Sequence, residues 1–298
     1  MLGRQEQQRQ QGCQDRLNIC ILLSGGTGTR LGGDIPKQYM EVGGAGGTGG
    51  AGGVNGHMMV THALSTVLAS SLIDEVYVVA ALEWRAAIER DALTAGLDIS
   101  KLCGFAMPGR NRQESALNGM EKALSHHLSF DEDKDTAAYV GSMSTMSEMN
   151  SVSLGEQATV LIHDAARPML SEDLLSHIYE ALDGHDGVIP VLPMKDTVYR
   201  SADGSKVSEL LDRSQIFAGQ APELFLFDKY YCANKELLPD KIKSINGATE
   251  PAIMAGMDIV MIPGDERNYK VTTGEDLARF REDVKKGSMK KGRMKGSI

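Results

Sequence analysis

The sequence predicts an α/β fold with a mostly parallel, twisted sheet and helices on both faces. Short apolar runs alternate along most of the chain with segments whose apolar residues recur at helical spacing, which is the pattern of consecutive strand–helix units. The first apolar run, residues 17–23, ends in a glycine-rich turn, as expected for a buried strand that enters a loop. The chain has 298 residues, of which 42% are hydrophobic, so it can form a large core.

The individual elements follow from the local spacing of apolar residues. Met59, Ala63 and Val67, for example, share one face of a helix, whereas a short continuous apolar run indicates a buried strand. Ser171 precedes two acidic residues and predicts a helix N-cap. Strands are predicted at residues 17–23, 75–80, 104–107, 159–162, 187–192 and 258–262, and helices at residues 57–70, 83–95, 112–125, 171–182 and 275–283.

Three segments interrupt the alternation. Residues 43–56 hold nine glycines in 14 positions, and residues 129–157 are first acidic and then rich in Ser and Met. In neither segment can the contacts formed on folding offset the loss of conformational entropy, so we expect two flexible insertions. Residues 194–212 break the strand–helix pattern and predict a short hairpin that turns at residues 202–204.

The two ends differ in composition from the body of the chain. Residues 1–16 are polar and lack the apolar core of a signal peptide, and residues 284–298 are basic, so we expect a flexible tail at each end. A single domain is therefore predicted over residues 17–283. No apolar run reaches the roughly 18 residues that a membrane helix needs. Together these features predict a soluble, cytoplasmic protein without a membrane partner.

Charge and composition exclude several classes of function. The chain carries 31 Lys and Arg against 40 Asp and Glu, a formal charge of −9, which disfavours general binding to nucleic acid. Aromatic residues make up only 5%, so stacking platforms for single strands are not expected. The four cysteines are far apart and form no C-x-x-C motif, which disfavours a structural zinc site.

The glycine-rich turn is the most informative motif. It contains two cations, Arg30 and Lys37, within residues 24–38. The Gly-Lys-Ser/Thr of a P-loop is missing, and Leu31 stands where a dinucleotide fingerprint needs its third glycine. Backbone amides beside two positive side chains suit a triphosphate whose leaving group gains charge. The alternative is a tight turn with two solvated cations.

These residues carry a resemblance to a known family. Gly25-Gly26-x-Gly28-x-Arg30 followed by Pro36-Lys37-Gln38 resembles the sugar-phosphate cytidylyltransferases, above all the 2-C-methyl-D-erythritol 4-phosphate enzymes and their ribitol-5-phosphate relatives. The resemblance extends over residues 17–282, apart from the two insertions. It implies a Rossmann-like nucleotidyltransferase fold with a projecting β-arm at residues 194–212. It also implies CTP and a polyol phosphate as substrates, Mg²⁺ as cofactor, and a homodimer with shared active sites.

Three further motifs resemble parts of the nucleotide site of this family. The sequence His163-Asp-Ala-Ala-Arg-Pro168 follows a buried strand, where ligands bind in open α/β sheets, and Asp164 can hold a metal or a ribose hydroxyl. The alternative is a buried Asp–Arg pair. The element Gly109-x-x-Arg112-x-x-Ser115 resembles the part of the family that recognises cytosine. The alternative interpretation of this element is ordinary capping of a helix N-terminus. Asn-Tyr-Lys270-Val-Thr resembles the motif that places a third cation on the phosphates.

The motifs that correspond to the acceptor-binding part of the family match the family pattern less closely. Thr197 and Arg213 resemble residues that lie on the arm and on the sugar-phosphate segment of the family, but Thr197 is equally compatible with an ordinary strand residue. The chain has Ala221-Pro-Glu223 where the family usually has Thr-Pro-Gln, and Glu250 where it usually has Asp. Both departures leave the identity of the acceptor open.

The resemblance assigns a role to each matching residue. The predicted reaction transfers a cytidylyl group from CTP to 2-C-methyl-D-erythritol 4-phosphate, in isoprenoid precursor synthesis by the non-mevalonate route. The alternatives are ribitol 5-phosphate or another polyol phosphate in cell-surface polymer synthesis, an NAD-dependent oxidoreductase, and a non-catalytic nucleotide-binding module. The assigned residues are Arg30, Lys37 and Lys270 for catalysis; Ser24, Gly25, Gly26, Gly109, Arg112, Ser115 and Asp164 for the nucleotide; Ala165, Arg167, Thr197, Arg213 and Thr249 for the acceptor; and Asp164 for the metal.

Overall fold

The computed structural model describes residues 16–26, 35–43, 56–127 and 153–294. Residues 1–15 of the tail predicted over residues 1–16, and most of both predicted insertions, 43–56 and 129–157, lie outside the described residues. The strands are β1 (Asn18–Leu23), β2 (Glu41–Val42), β3 (His57–Met58), β4 (Glu75–Val79), β5 (Leu102–Ala106), β6 (Thr159–Asp164), β7 (Gly187–Pro193), β8 (Val198–Arg200), β9 (Glu209–Leu211), β10 (Phe217–Gly219), β11 (Glu223–Leu226) and β12 (Ile259–Pro263).

Seven α-helices accompany these strands in the described part of the chain. They are α1 (Met59–Ala69), α2 (Leu82–Thr94), α3 (Arg112–His127), α4 (Glu172–Glu180), α5 (Phe227–Lys235), α6 (Thr249–Met254) and α7 (Gly274–Met294). Ser171 caps α4 as predicted, because its side chain accepts a hydrogen bond from the Leu174 amide. None of the described helices combines the length and the apolar character needed to cross a bilayer.

Eight strands form one central sheet. Parallel pairing joins β5 to β4, β4 to β1 and β1 to β6, and it also joins β12 to β7. β11 lies between β6 and β7 and runs antiparallel to both, and β10 pairs antiparallel with the end of β7. The predicted α/β fold with a mostly parallel sheet is therefore confirmed.

The core occupies both faces of the sheet because neighbouring strand residues point to opposite sides. In β1, Ile19 and Ile21 pack against the face covered by α3 and α5. Cys20 and Leu22 pack against the other face, which α1, α2 and α4 cover. All four side chains are fully buried, so β1 lies at the centre of the domain and its end is held rigidly.

Three regions differ from the sequence-based expectation. The helix predicted over residues 57–70 begins at Met59, because residues 57–58 pair with residues 41–42 as two short strands. No strand was predicted between residues 213 and 257, yet β10 and β11 insert there, because runs of three and four residues are too short to show a strand period. The C-terminal helix was predicted to end at Asp283 and to be followed by a basic tail. It continues instead to Met294, since Lys, Arg and Met favour a helix once it has begun.

The predicted arm contains a two-stranded hairpin. β8 and β9 pair antiparallel, with Tyr199 opposite Leu210. These two side chains are 57% and 63% exposed, which is unusual for large apolar residues in a paired strand. The hairpin therefore presents an apolar surface that the rest of the described chain does not cover.

Candidate active site

A cavity of about 450 Å³ lies at the carboxyl ends of β1 and β6. Parallel sheets place their ligand sites at this edge, because the loops that follow the strands converge there. The lining comes from four separate parts of the chain: Leu23, Ser24, Gly25 and Gly26; Lys37 and Gln38; Gly109, Arg110, Asn111, Arg112 and Ser115; and Asp164, Ala166 and Lys270.

The loop after β1 is fixed by side chains from the next segment. Gln38 donates to the Ser24 carbonyl at 2.8 Å and also to the Gly26 carbonyl. The hydroxyl of Tyr39 donates to the same Ser24 carbonyl at 2.6 Å. A Cβ at Gly25 would lie 2.6 Å from Cβ of Pro108, so only glycine fits there. The backbone at Gly25 and Gly26 is thus held along the cavity wall.

Two of the three predicted cations meet in this cavity. The Lys37 ammonium donates to the Val271 carbonyl at 2.7 Å, which ties it to the segment that carries Lys270. The Lys270 ammonium lies 2.7 Å from a carboxylate oxygen of Asp164 and is 41% exposed. The third predicted cation, Arg30, lies outside the described residues. Residues more than 200 positions apart in the sequence therefore contribute adjacent positive charges.

Asp164 is the central anion of the site. Its second oxygen lies 3.1 Å from both Nε and Nη2 of Arg112, and the Arg112 Nη2 also lies 3.2 Å from Glu223. Burial would raise the pKa of Asp164, but the charges of Arg112 and Lys270 outweigh it and hold that pKa well below its ordinary value. Asp164 is therefore ionised at neutral pH.

Glu223 was not assigned a role from the sequence, but it belongs to this cluster. It is 8% exposed, and burial raises its pKa although Arg112 lies beside it. Its other oxygen accepts a hydrogen bond from Thr249 at 3.4 Å. Glu223 therefore connects the Arg112–Asp164 pair to the start of α6. The sequence signals were its departure from the usual Thr-Pro-Gln of the family and its position as a charged residue at the start of the apolar run Glu-Leu-Phe-Leu.

The turn before α3 forms the opposite wall. The Gly109 amide donates to the Ser115 hydroxyl at 3.0 Å, and that hydroxyl donates to the Asn111 carbonyl at 2.8 Å. A Cβ at Gly109 would lie 2.7 Å from the Ser115 nitrogen. Glycine is therefore required for the chain to fold this closely over the start of the helix, and Ser115 holds the turn in place.

The residues after Asp164 divide between the cavity and the core. Ala165 was assigned to the acceptor, but its side chain is fully buried and packs in the core, whereas Ala166 lines the cavity. Arg167 donates to the Asn268 carbonyl at 2.8 Å and is not among the cavity-lining residues. The backbone turn after β6 decides this division, and the side-chain pattern of the sequence does not reveal it.

His163 fixes the same turn and is fully buried. Its Nε2 lies 3.1 Å from the Arg167 carbonyl, so this nitrogen carries the proton and donates. Burial, which Asp164 and the backbone hydrogen bond oppose, lowers the pKa of His163 to about 4. The imidazole is therefore neutral in the folded protein over most of the pH range.

A pH dependence of stability follows from this burial. An unfolded His has a pKa of about 6.5, so the unfolded state takes up a proton first as the pH falls. The contribution of His163 is complete above about pH 6.5 and is lost progressively towards pH 4, by roughly 3 kcal/mol in total. Urea unfolding measures the free energy of unfolding at pH 7 and at pH 5. The decrease in this free energy from pH 7 to pH 5 should be smaller for His163→Gln than for the unchanged protein. Equal losses would contradict the assignment.

Comparisons with known proteins identify the family of the chain. Residues 140–284 match the family model described as 2-C-methyl-D-erythritol 4-phosphate cytidylyltransferase, or IspD. The enzyme of that name from Rubrobacter xylanophilus is 30% identical over 268 residues, which cover 87% of this chain and 91% of the relative. The chain belongs to the 2-C-methyl-D-erythritol 4-phosphate cytidylyltransferase family. The resemblance seen in the motifs is thereby confirmed.

Two further relatives and one solved structure are also similar to this chain. The bifunctional enzyme IspD/IspF of Paramagnetospirillum magneticum is 28% identical over 263 residues, and the chain spans about half of its length, 56%. A ribitol-5-phosphate cytidylyltransferase of Streptococcus agalactiae is 24% identical over 269 residues, which cover 89% of this chain and 94% of the relative. The crystal structure of 4-diphosphocytidyl-2C-methyl-D-erythritol synthase from Anaerococcus prevotii superposes with a TM-score of 0.66 at 20% identity, over 92% of this chain and 98% of that one, which supports the fold.

None of the five residues assigned to the acceptor lines this cavity; Ala166, which does line it, was not among them. Thr197 and Arg213 are exposed, and Arg213 donates to the Lys195 carbonyl at 2.8 Å, which closes the base of the arm. Thr249 lines a separate apolar groove of about 500 Å³, together with Phe217, Ile253 and Met261. Its hydrogen bond to Glu223 links this groove to the cluster of Arg112 and Asp164 at the cavity.

Proposed function

We propose that this chain transfers the cytidylyl group of CTP to a polyol phosphate, most directly 2-C-methyl-D-erythritol 4-phosphate. The observation that carries the proposal is the convergence of Lys37, Lys270 and the ionised Asp164 on one cavity at the carboxyl ends of β1 and β6. The presence of enzymes of this name among the relatives supports the same conclusion.

The reaction needs charge neutralisation more than proton transfer. An oxygen of the acceptor phosphate attacks the α-phosphorus of CTP, the bond from that phosphorus to the bridging oxygen breaks, and pyrophosphate leaves with the electron pair. The attacking oxygen is already anionic at neutral pH, so no general base is required. Lys37, Lys270 and Arg30 stabilise the charge that develops on the leaving group, and the rigid loop after β1 positions the triphosphate.

The turn at Gly109 and the start of α3 receive the base and the ribose in this proposal. This turn lies close against the start of α3, because no Cβ at Gly109 separates it from Glu114 and Ser115. Arg112 and Ser115, both at the cavity wall, hold this turn and the neighbouring Asp164 in position.

Substituting Gly109 tests this part of the site. Gly109→Ala places a Cβ 2.7 Å from the Ser115 nitrogen and moves the turn, so kcat/KM for CTP should fall roughly 10- to 100-fold. Gly274→Ala is the matched control, because no heavy atom lies within 4 Å of the added Cβ. Steady-state kinetics with varied CTP measures both variants, and an unchanged kcat/KM in Gly109→Ala would contradict the role of the turn.

The donor set in the cavity fits Mg²⁺. Asp164 offers an ionised carboxylate at the cavity wall, and Mg²⁺ in nucleotide sites is commonly bound by one or two carboxylates together with substrate phosphates and water. Asp164 would hold the ion, and the half-exposed Lys270 is free to turn from Asp164 towards a phosphate. When bound, Mg²⁺ would supply positive charge that offsets the negative charge of the phosphates.

The acceptor side of the proposed site depends on a second copy of the chain. Arg167, Arg213, Thr197, Thr249 and the backbone at Ala165 would hold the acceptor, although the arm residues among them do not reach the cavity of their own chain. The exposed apolar residues Tyr199, Leu210, Phe217, Ile253 and Met261 supply the surface that a homodimer would bury. A shared site across that interface, in an enzyme of the cytoplasm that serves isoprenoid precursor synthesis, is the assembly we propose.

Ribitol 5-phosphate is the second candidate acceptor. A ribitol-5-phosphate cytidylyltransferase is among the relatives, and the chain departs from the usual family pattern at Ala221 and Glu223. Glu223 is buried beside Arg112 and Thr249, where a changed charge alters the surroundings of a polyol.

An acceptor screen tests the proposed function. The protein is incubated with CTP, Mg²⁺ and a panel of polyol phosphates that includes both candidates, and pyrophosphate release is measured. We expect the highest kcat/KM with 2-C-methyl-D-erythritol 4-phosphate. A higher value with ribitol 5-phosphate would favour the second candidate, and no release with any polyol phosphate would contradict both.

A further inference from the structure

A cluster of metal-binding side chains lies at the end of the sheet opposite the cavity. Glu75 begins β4, and His126 and His127 end α3. A carboxylate oxygen of Glu75 lies 2.9 Å from Nε2 of His127, and the other lies 3.9 Å from Nδ1 of His126. In the described part of the chain, these are the only three such residues whose ligand atoms all lie within 4.8 Å of one another.

The spacing of these atoms suits a transition-metal ion. Zn²⁺ bonds to imidazole nitrogen and carboxylate oxygen are about 2.0–2.2 Å long, so tetrahedral ligands lie roughly 3.3 Å apart. The separations of 2.9 and 3.9 Å bracket this distance. Two imidazoles and one carboxylate form a known zinc ligand set that leaves a fourth position for water.

A buried tyrosine orients the carboxylate. The hydroxyl of Tyr77, a fully buried residue of β4, donates to Glu75 at 2.9 Å and accepts from Nδ1 of His126 at 2.7 Å. An ion at that nitrogen therefore needs the His126 tautomer that carries its proton on Nε2. Hydrogen-bonded outer groups of this kind hold metal ligands in place. The Glu75 side chain is only 14% exposed, whereas those of His126 and His127 are 50% and 30% exposed, so an ion can enter from solvent.

We propose that Glu75, His126 and His127 form a binding site for a divalent transition-metal ion of the Zn²⁺ type, separate from the nucleotide cavity. The site joins the last turn of α3 to the first residue of β4. Arg112 and Ser115 lie at the other end of α3, roughly 20 Å away along the helix axis. A bound ion therefore stabilises the helix that carries one wall of the cavity, without contact to either substrate.

The cluster was not evident from the sequence because its parts are far apart. Glu75 and His126 are separated by 51 positions, and adjacent histidines do not form a recognised zinc motif on their own. The expectation that zinc binding is disfavoured rested on cysteine spacing, and this ligand set contains no cysteine.

Calorimetric titration of the untagged full chain with Zn²⁺, in the presence of saturating Mg²⁺, tests the site. The compared proteins are the unchanged chain, the double variant His126→Gln/His127→Gln, and the single variant Glu75→Gln. His185→Gln is the matched control, since His185 also lies 2.8 Å from a carboxylate, that of Asp258, but has no third ligand. Thermal unfolding of each protein with and without Zn²⁺ is recorded alongside.

We expect one Zn²⁺ to bind per unchanged chain and per His185→Gln chain, and to raise their melting temperatures. Affinity should fall at least about tenfold in Glu75→Gln and further in the double variant. Zn²⁺ binding that persists undiminished in the double variant would belong to another part of the chain and would overturn the proposal. Absence of binding to the unchanged chain would overturn it as well.

Discussion

Replacement of Lys37 by alanine is expected to lower kcat at least about 100-fold. The Lys37 ammonium is held at the cavity by the Val271 carbonyl, next to Lys270, and supplies a preorganised positive charge for the leaving pyrophosphate. Water that fills the vacated volume must reorient as charge develops and therefore stabilises the transition state less well. Pyrophosphate release under saturating CTP and acceptor measures the change.

Lys101 provides the matched control for this substitution. Its ammonium also donates to backbone carbonyls, those of Ser70 at 2.6 Å and Ile73 at 2.8 Å, but it does not line the cavity. Lys101→Ala should lower the melting temperature and leave kcat nearly unchanged. Turnover of Lys37→Ala similar to that of Lys101→Ala would show that the charge of Lys37 has no part in catalysis.

Asp164→Asn is expected to have the second large effect, on both activity and stability. The change removes one of two carboxylates that pair with the buried Arg112 and also releases Lys270. Breaking a buried pair in this way costs about 3–5 kcal/mol, and loss of the proposed metal ligand and of the ion pair that orders Lys270 should lower kcat at least about 100-fold.

The pH dependence distinguishes an electrostatic effect of this substitution from a packing defect. The folded pKa of Asp164 lies below its unfolded value of about 3.9, so the stabilisation is present above about pH 4 and is lost as the pH falls further. The stability difference between the unchanged protein and Asp164→Asn, from urea unfolding, should therefore narrow towards pH 3. Asp258→Asn is the control, because its exposed pair with His185 contributes only about 0–1 kcal/mol. A difference that stays constant down to pH 3 would indicate a packing defect instead.

The sequence predicted the edge of the sheet at which the site lies, because that edge depends on local features. Apolar runs that end at Leu23 and Ile162 predict parallel strands, and the carboxyl ends of neighbouring parallel strands lie at the same edge of a sheet. The motifs around Lys37 and Lys270 then placed two cations at that edge. Their meeting with Asp164 in the structure agrees with that prediction.

The parts that could not be predicted depend on tertiary context. Glu223 is the first residue of β11, a four-residue antiparallel strand that is too short to show an alternating apolar pattern in the sequence. Whether Ala165 or Ala166 faces the cavity is decided by the turn that His163 fixes, and that turn has no sequence signature. Thr197 and Arg213, which the resemblance assigned to the acceptor, do not line the cavity of their own chain, so the role proposed for them rests on the proposed dimer.

Transfer of labelled phosphate tests the central claim most directly. The protein is incubated with an accepted polyol phosphate and with CTP that carries ³²P at either the α or the γ position, and the products are separated. Cytidylyl transfer predicts that the α label enters the CDP-polyol and that the γ label leaves in pyrophosphate. Transfer of the γ label to the polyol phosphate, or its release as orthophosphate, would contradict the account.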